Sequence, residues 1–229
     1  MTIYYSPRSV LKWLLWLFFI LLVFNCVGIW LKLNYSNRLV THISNATSFN
    51  SETSISTLYS SLILVTASIL TYYINISVKK LNQGNASWLW LSIIFLYVSI
   101  DEFIEIHERT IMVFRSQFNL TGLLYYSWVI PYGILGLLLL FKFIPFLYKL
   151  EKKTRNLFLV SGFLFVLGAV GIELFGGRHH ELYGQENIEY AMFYTIEESF
   201  EIIAISIFIY ALLRYIALIN PKSTFISRN

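Results

Sequence analysis

Apolar runs of roughly 20 residues, the length a helix needs to cross about 30 Å of hydrocarbon, recur at 10–31, 58–78, 88–107, 123–147, 157–175 and 190–213. Within lipid every backbone amide must be satisfied internally, and no alternating pattern long enough for a barrel is present. The runs predict an all-α fold, a polytopic transmembrane helical bundle of about six spans forming a single integral membrane domain over 1–229. A mean hydropathy of +0.63 with only 13% charged residues agrees, since soluble domains carry about twice that charge. The first run is too long for a signal-peptide core and has no small-residue cleavage site before Lys32, so it reads as a span.

The seventeen Lys and Arg sit at the ends of apolar runs and form no stripe, which argues against nucleic acid as a partner. They report topology instead. With both termini in the cytoplasm, twelve fall inside (Arg8, Lys12, Lys79, Lys80, Lys142, Lys149, Lys152, Lys153, Arg155, Arg214, Lys222 and Arg228) and five outside (Lys32, Arg38, Arg109, Arg115 and Arg178). That bias satisfies the positive-inside rule and predicts an N-in/C-in arrangement. The segment 32–57, rich in Ser, Asn and Thr, becomes an external polar cap. Cys26 is the single cysteine and lies inside the first run, so neither an intramolecular disulfide nor a thiolate metal cage can form.

Orientation makes the acidic residues informative. Of thirteen, only Glu151 falls in a cytoplasmic loop and Glu52 in the first external one. The others converge at the outward end: Asp101, Glu102, Glu105 and Glu108 in span three, Glu173 in span five, Glu181, Glu186 and Glu189 in the last external loop, and Glu197, Glu198 and Glu201 in span six. On a regular helix Asp101, Glu105 and Glu108 share one face with Glu102 and Arg109 on its shoulder, while Glu197 and Glu201 lie one turn apart with Glu198 on their flank. The expectation is two acidic stripes on facing helices.

Carboxylates in a span cost a few kcal/mol each on insertion scales and repel one another. Protonation, pairing with Arg109, Arg115 or Arg178, or a bound cation would compensate. The leading expectation is a divalent metal ion, Zn, Mn or Fe, held by Asp101, Glu105, Glu108, Glu173, Glu198 and Glu201. His179 or His180 would swing over it on the flexible Gly176-Gly177, with Glu102, Glu197, Arg109 and Arg178 in support. His107 points away from the stripe on a regular helix and is read as structural, and His42 as exposed. No Glu-x-x-His pair is present, so the di-iron bundle pattern is not matched. Asn25 and Asn75 are expected to hydrogen-bond between helices. Trp88, Trp90, Tyr125, Tyr126, Trp128 and Tyr132 are expected in interfacial belts, and Pro131 and Pro145 to kink span four.

The words Asp101-Glu102 through His107-Glu108, Glu173-Leu-Phe-Gly-Gly and Thr195-Ile-Glu-Glu-Ser-Phe-Glu resemble a group of small, uncharacterised bacterial multipass membrane proteins with DExxExHE, ELxGG and TxEExxE motifs. The resemblance implies a six-span bacterial inner-membrane protein and supplies no reaction. The residues themselves allow functions from three classes. A metal-assisted enzyme would act on a lipid-like or periplasmic substrate, with catalytic residues unassigned. A proton- or cation-coupled transporter would alternate protonation with ion occupancy, although both acidic words fall on one side of the midplane. A structural subunit would use its charges to dock a membrane protein partner or a second copy of the chain. Membrane lipids are partners in every case.

Overall fold

The computed structural model of the protein describes residues 6–35, 37–51, 53–81 and 84–219, so Glu52, Lys222 and Arg228 lie outside the described residues. In chain order the helices are α1 (Pro7–Asn34), α2 (Arg38–Thr47), α3 (Ile55–Lys80), α4 (Ala86–Ile104), α5 (Ile106–Phe118), a 3₁₀ turn at Gly122–Leu124, α6 (Val129–Lys149), α7 (Lys152–Val166), a π-helical stretch Leu167–Ile172, α8 (Glu173–Tyr183) and α9 (Ile188–Ile219). No strand occurs among the described residues. Six helices are long and apolar enough to span a membrane, the fifth being α7, the π stretch and α8 as one rod of 32 residues. The protein is a multipass helical membrane protein.

Helix starts reflect local chemistry. Pro7 opens α1, where its missing N–H costs nothing. Side chains of Asn37, Ser54, Asn85 and Glu151 accept from the first-turn amides of α2, α3, α4 and α7, satisfying donors that a helix start leaves orphaned. Pro131 is the third residue of α6 and only Pro145 lies in its interior. α6 begins six residues later than its apolar run because Gly122 takes a positive φ and the chain turns before Val129.

α9 is the central post. Ile202, Ala204, Ile205, Phe208, Ile209, Ala211 and Leu212 are all buried between α1, α3 and α7. α3 and α4 are joined by two reciprocal serine pairs, Ser61 with Ser99 at 3.0 Å and Ser68 with Ser92 at 3.2 Å. Small hydroxyl residues let two backbones approach where no hydrophobic force between helices operates. Asn25 meets its expectation, donating to Thr195 Oγ1 at 2.9 Å and accepting from Phe49 N at 3.0 Å. Asn75 differs, since its Oδ1 is buried without a hydrogen-bond partner among the described residues.

The segment expected to form an external cap is more ordered than its composition suggests. α2 packs on α1, with Ser44 donating to the Gly28 carbonyl at 2.9 Å, and it leaves Leu39 and Ile43 exposed. His42 is exposed as expected. The belt expectation fails for several rings. Trp88 is 2% exposed, with its ring against Phe146, Phe158 and Tyr215. Trp128 is buried as well, and Tyr126 and Tyr132 turn inward to polar partners.

Candidate functional site

Span three does not continue as the regular helix that the acidic stripe requires. Glu105 adopts φ 53 and ψ 50, a left-handed conformation that ends α4 and opens α5 at the same residue. The face shared by Asp101, Glu105 and Glu108 is therefore interrupted. The break turns His107 back onto Asp101: its amide donates to Oδ1 at 3.0 Å and its Nδ1 meets Oδ2 at 2.7 Å. Tyr132 adds a third bond to Oδ1 at 2.9 Å and shares its own oxygen with Tyr97 at 2.7 Å. The ring read as pointing away is the one imidazole that joins the acids.

Burial disfavours a charged His107, but the hydrogen bond and charge of Asp101, with Glu173 and Glu108 behind, push its pKa up to about 9. His107 is thus an imidazolium at neutral pH and supplies positive charge. Arg109 and Arg178 do not, because both are exposed and neither forms an ion pair among the described residues. Arg115 lies 4.3 Å above the Tyr125 ring.

Around this pair stand carboxyls from three helices. Glu102 of α4 accepts from Ser60 at 2.8 Å. Glu173, buried at the first residue of α8, accepts from Trp128 Nε1 at 2.9 Å and stands beside Glu197 of α9. Glu198 interacts with Glu102, Glu201, Glu173 and Glu105, and Glu201 with Glu102 and Glu173. Glu108 is exposed on α5 yet remains within electrostatic reach of Glu102 and Glu173. Among the described residues no three His, Cys, Asp or Glu side chains are arranged to hold a metal ion as they stand.

The π stretch explains how Glu173 enters this group. A π turn adds a residue to the helical repeat and so rotates the succeeding residues to a new face, and Leu167–Ile172 ends where Glu173 begins. Gly168 brings the stretch against α9, where an added Cβ would lie 2.8 Å from the Glu197 carbonyl oxygen.

His179 and His180 do not form a lid. Gly176 and Gly177 are buried helical residues of α8, and a Cβ at Gly177 would meet the Tyr126 ring at 2.8 Å. These glycines serve close packing, not hinge motion. His179 Nε2 is 2.8 Å from Asn187 Oδ1 and His180 Nδ1 is 2.8 Å from the Tyr126 hydroxyl. Glu181 is not a solvated loop acid either, since it lies in α8 and accepts from Gly122 N at 2.6 Å. Glu186 and Glu189 are exposed. The residues that sequence reasoning missed are His107, Trp128, Tyr132, Tyr126, Tyr190 and Ser60. The one available signal was the four-residue spacing of Trp128 and Tyr132, which sets both rings on one helix face.

A family model described as a domain of unknown function, DUF8692, matches residues 13–216. The chain belongs to this family. The match takes in all six spanning helices and every carboxyl of the site, so the family's shared domain is the bundle itself. No curated protein and no solved structure matches the chain.

Glu105 provides a direct check on the break in span three. A left-handed conformation costs a non-glycine residue about 1–2 kcal/mol. Glu105→Gly is expected to raise the melting temperature in detergent by a few degrees, and Glu105→Val to lower it. Equal melting of both variants would mean that span three is regular.

Proposed function

We propose that the protein binds a divalent cation at the acidic end of the bundle by exchanging it for protons held among Glu102, Glu173, Glu197, Glu198 and Glu201. The observation that carries this reading is the gathering of Glu173 from α8, Glu102 from α4 and Glu197, Glu198 and Glu201 from α9 in one buried group. Like charges gathered this closely cannot all ionise, so the group shares at least one proton and titrates as a unit. A cation entering the cluster would replace that proton and draw the splayed oxygens together.

Asp101, Glu105, Glu108, His179 and His180 complete the wider set expected from sequence. Asp101 is committed to His107 and Tyr132, and both later histidines to neighbours, so the primary ligands are the glutamates. With His107 protonated, the donor set is all oxygen, which suits Mn²⁺ better than Zn²⁺. The lysine and arginine bias supports an outward placement of this end, in the bacterial inner membrane that the resemblance implies. A cation there would polarise water or a substrate oxygen at the lipid surface, the enzymatic form of the reading. The transporter form is less favoured, because no acidic side chain occupies the opposite half of a described span.

Purification without chelator, together with elemental mass spectrometry, tests the proposal. The parent is expected to carry or take up close to one Mn²⁺ per chain, with release of protons on loading, and Glu198→Gln/Glu201→Gln neither. A folded parent that takes up no divalent metal overturns it. Tracer Mn²⁺ crossing proteoliposome membranes would move the reading to transport.

A further inference from the structure

A cavity of about 610 Å³ opens at the acidic end between α1, the α2–α3 connection and the start of α9. Apolar and polar groups share its walls about equally, and the polar share is largely neutral oxygen and amide groups, among them Asn45, Asn50, Ser51, Thr53 and Gln185. Lys32 and Glu186 also line it and offset each other. A space lined this way can replace the water shell of a cation piece by piece, but the charges of its described lining residues cancel and give the ion little reason to stay. That is the character of a passage.

Tyr190 forms the wall between this cavity and the carboxyls. It lines the cavity and is only 6% exposed. Its hydroxyl bonds Tyr126 at 2.8 Å and Asn50 Oδ1 at 3.3 Å, and Tyr126 continues to His180 at 2.8 Å. On its inner side Tyr190 interacts with Glu197, Glu108 and Glu173. Three segments far apart in sequence, 50, 126 and 190, thus meet at one hydroxyl.

We infer that the cavity is the entry vestibule through which a divalent cation reaches the glutamates, and that Tyr190, latched to Tyr126 and Asn50, is its gate. The inference rests on the cation-binding reading above and adds the route and the control point. Hydrated cations do not enter from the lipid side, and the vestibule is the polar space that reaches Tyr190.

The test separates rate from capacity. A full-length Cys26→Ser/Ser51→Cys variant is labelled with a bulky methanethiosulfonate reagent, and Mn²⁺ loading is monitored by stopped-flow quenching of tryptophan fluorescence, with the endpoint measured as bound Mn²⁺. Labelling is expected to leave the endpoint unchanged and to slow loading about tenfold, a barrier change of about 1.4 kcal/mol. The same label on Cys26→Ser/Ser116→Cys, at an exposed position of α5 outside the cavity, should leave the rate alone. Tyr190→Phe keeps the ring and loses both bonds of the latch, so loading should be several-fold faster or more at an unchanged endpoint, since a hydrogen bond contributes about 1 kcal/mol net. If Mn²⁺ binds but neither change alters its rate, or if both labels slow it equally, the vestibule and gate are wrong while the carboxyl site stands. If the unlabelled parent binds no Mn²⁺, the site reading falls and the route with it.

Discussion

Replacing Gly168 with alanine is expected to destabilise the bundle by about 1–3 kcal/mol, the usual cost of overpacking a filled interior, and to abolish cation uptake. The Cβ would stand 2.8 Å from the Glu197 carbonyl oxygen, 3.0 Å from Phe200 Cβ and 3.1 Å from Glu201 Cγ. Two of these three atoms are backbone or first side-chain atoms of α9 and cannot rotate away. Relief requires the π stretch and α9 to separate, and that motion carries Glu173 away from Glu197. Gly162 is the internal control: it lies in α7, and nothing stands within 4 Å of its Cβ position. Gly162→Ala should be neutral or stabilise by about 0.5–1 kcal/mol through helix propensity alone. Thermal unfolding in detergent and Mn²⁺ binding on both variants check the pair. A Gly168→Ala protein as stable and as competent as Gly162→Ala would mean that α9 and the π stretch do not touch as described.

Gly168 also marks the limit of what the sequence makes legible. Span number and helical class were legible because the period and length of apolar runs are imposed by the bilayer, and all six runs correspond to helices. The convergence of Asp101, Glu102, Glu173, Glu197, Glu198 and Glu201 was legible from antiparallel threading alone. The expectations that failed depended on local departures from the ideal helix. The stripe on span three assumed regular geometry through Glu105, whose left-handed backbone turns His107 onto Asp101. Nothing in the residues Ile104-Glu105-Ile106 announces such a break, because glutamate and isoleucine are not residues that favour positive φ. Gly176-Gly177 was read as a hinge because glycine permits both flexibility and close approach, and only the nearby Tyr126 ring decides between them. The belt assignments of Trp128 and Tyr132 failed for a related reason. An amphipathic ring near a helix end suits an interface, yet its N–H or O–H is equally a donor to an inward carboxylate, and Glu173 and Asp101 claim those donors.

The second large effect concerns the charge of the site. His107 sits inside a group of carboxyls, and its pKa near 9 depends on Asp101 against the opposing pull of burial. Asp101→Asn keeps the shape and a hydrogen-bonding oxygen but removes the charge. Histidine-selective NMR is expected to show the His107 imidazole protonated at pH 7.5 in the parent and neutral in Asp101→Asn. Proton linkage fixes the direction of the stability change. A histidine whose folded pKa is raised above its unfolded value of about 6.5 stabilises the fold fully below that value and loses the contribution as pH rises toward 9. The shift corresponds to at most on the order of 3 kcal/mol. The parent should therefore lose thermal stability between about pH 6.5 and 9, and Asp101→Asn should show a much flatter profile over that window. A neutral imidazole also removes the positive charge of His107 from beside the surrounding glutamates, so the variant should require a higher pH to load Mn²⁺. If His107 is neutral at pH 7.5 in the parent, or if the two stability profiles coincide, Asp101 and His107 are not paired and the site lacks the positive charge that this geometry gives it.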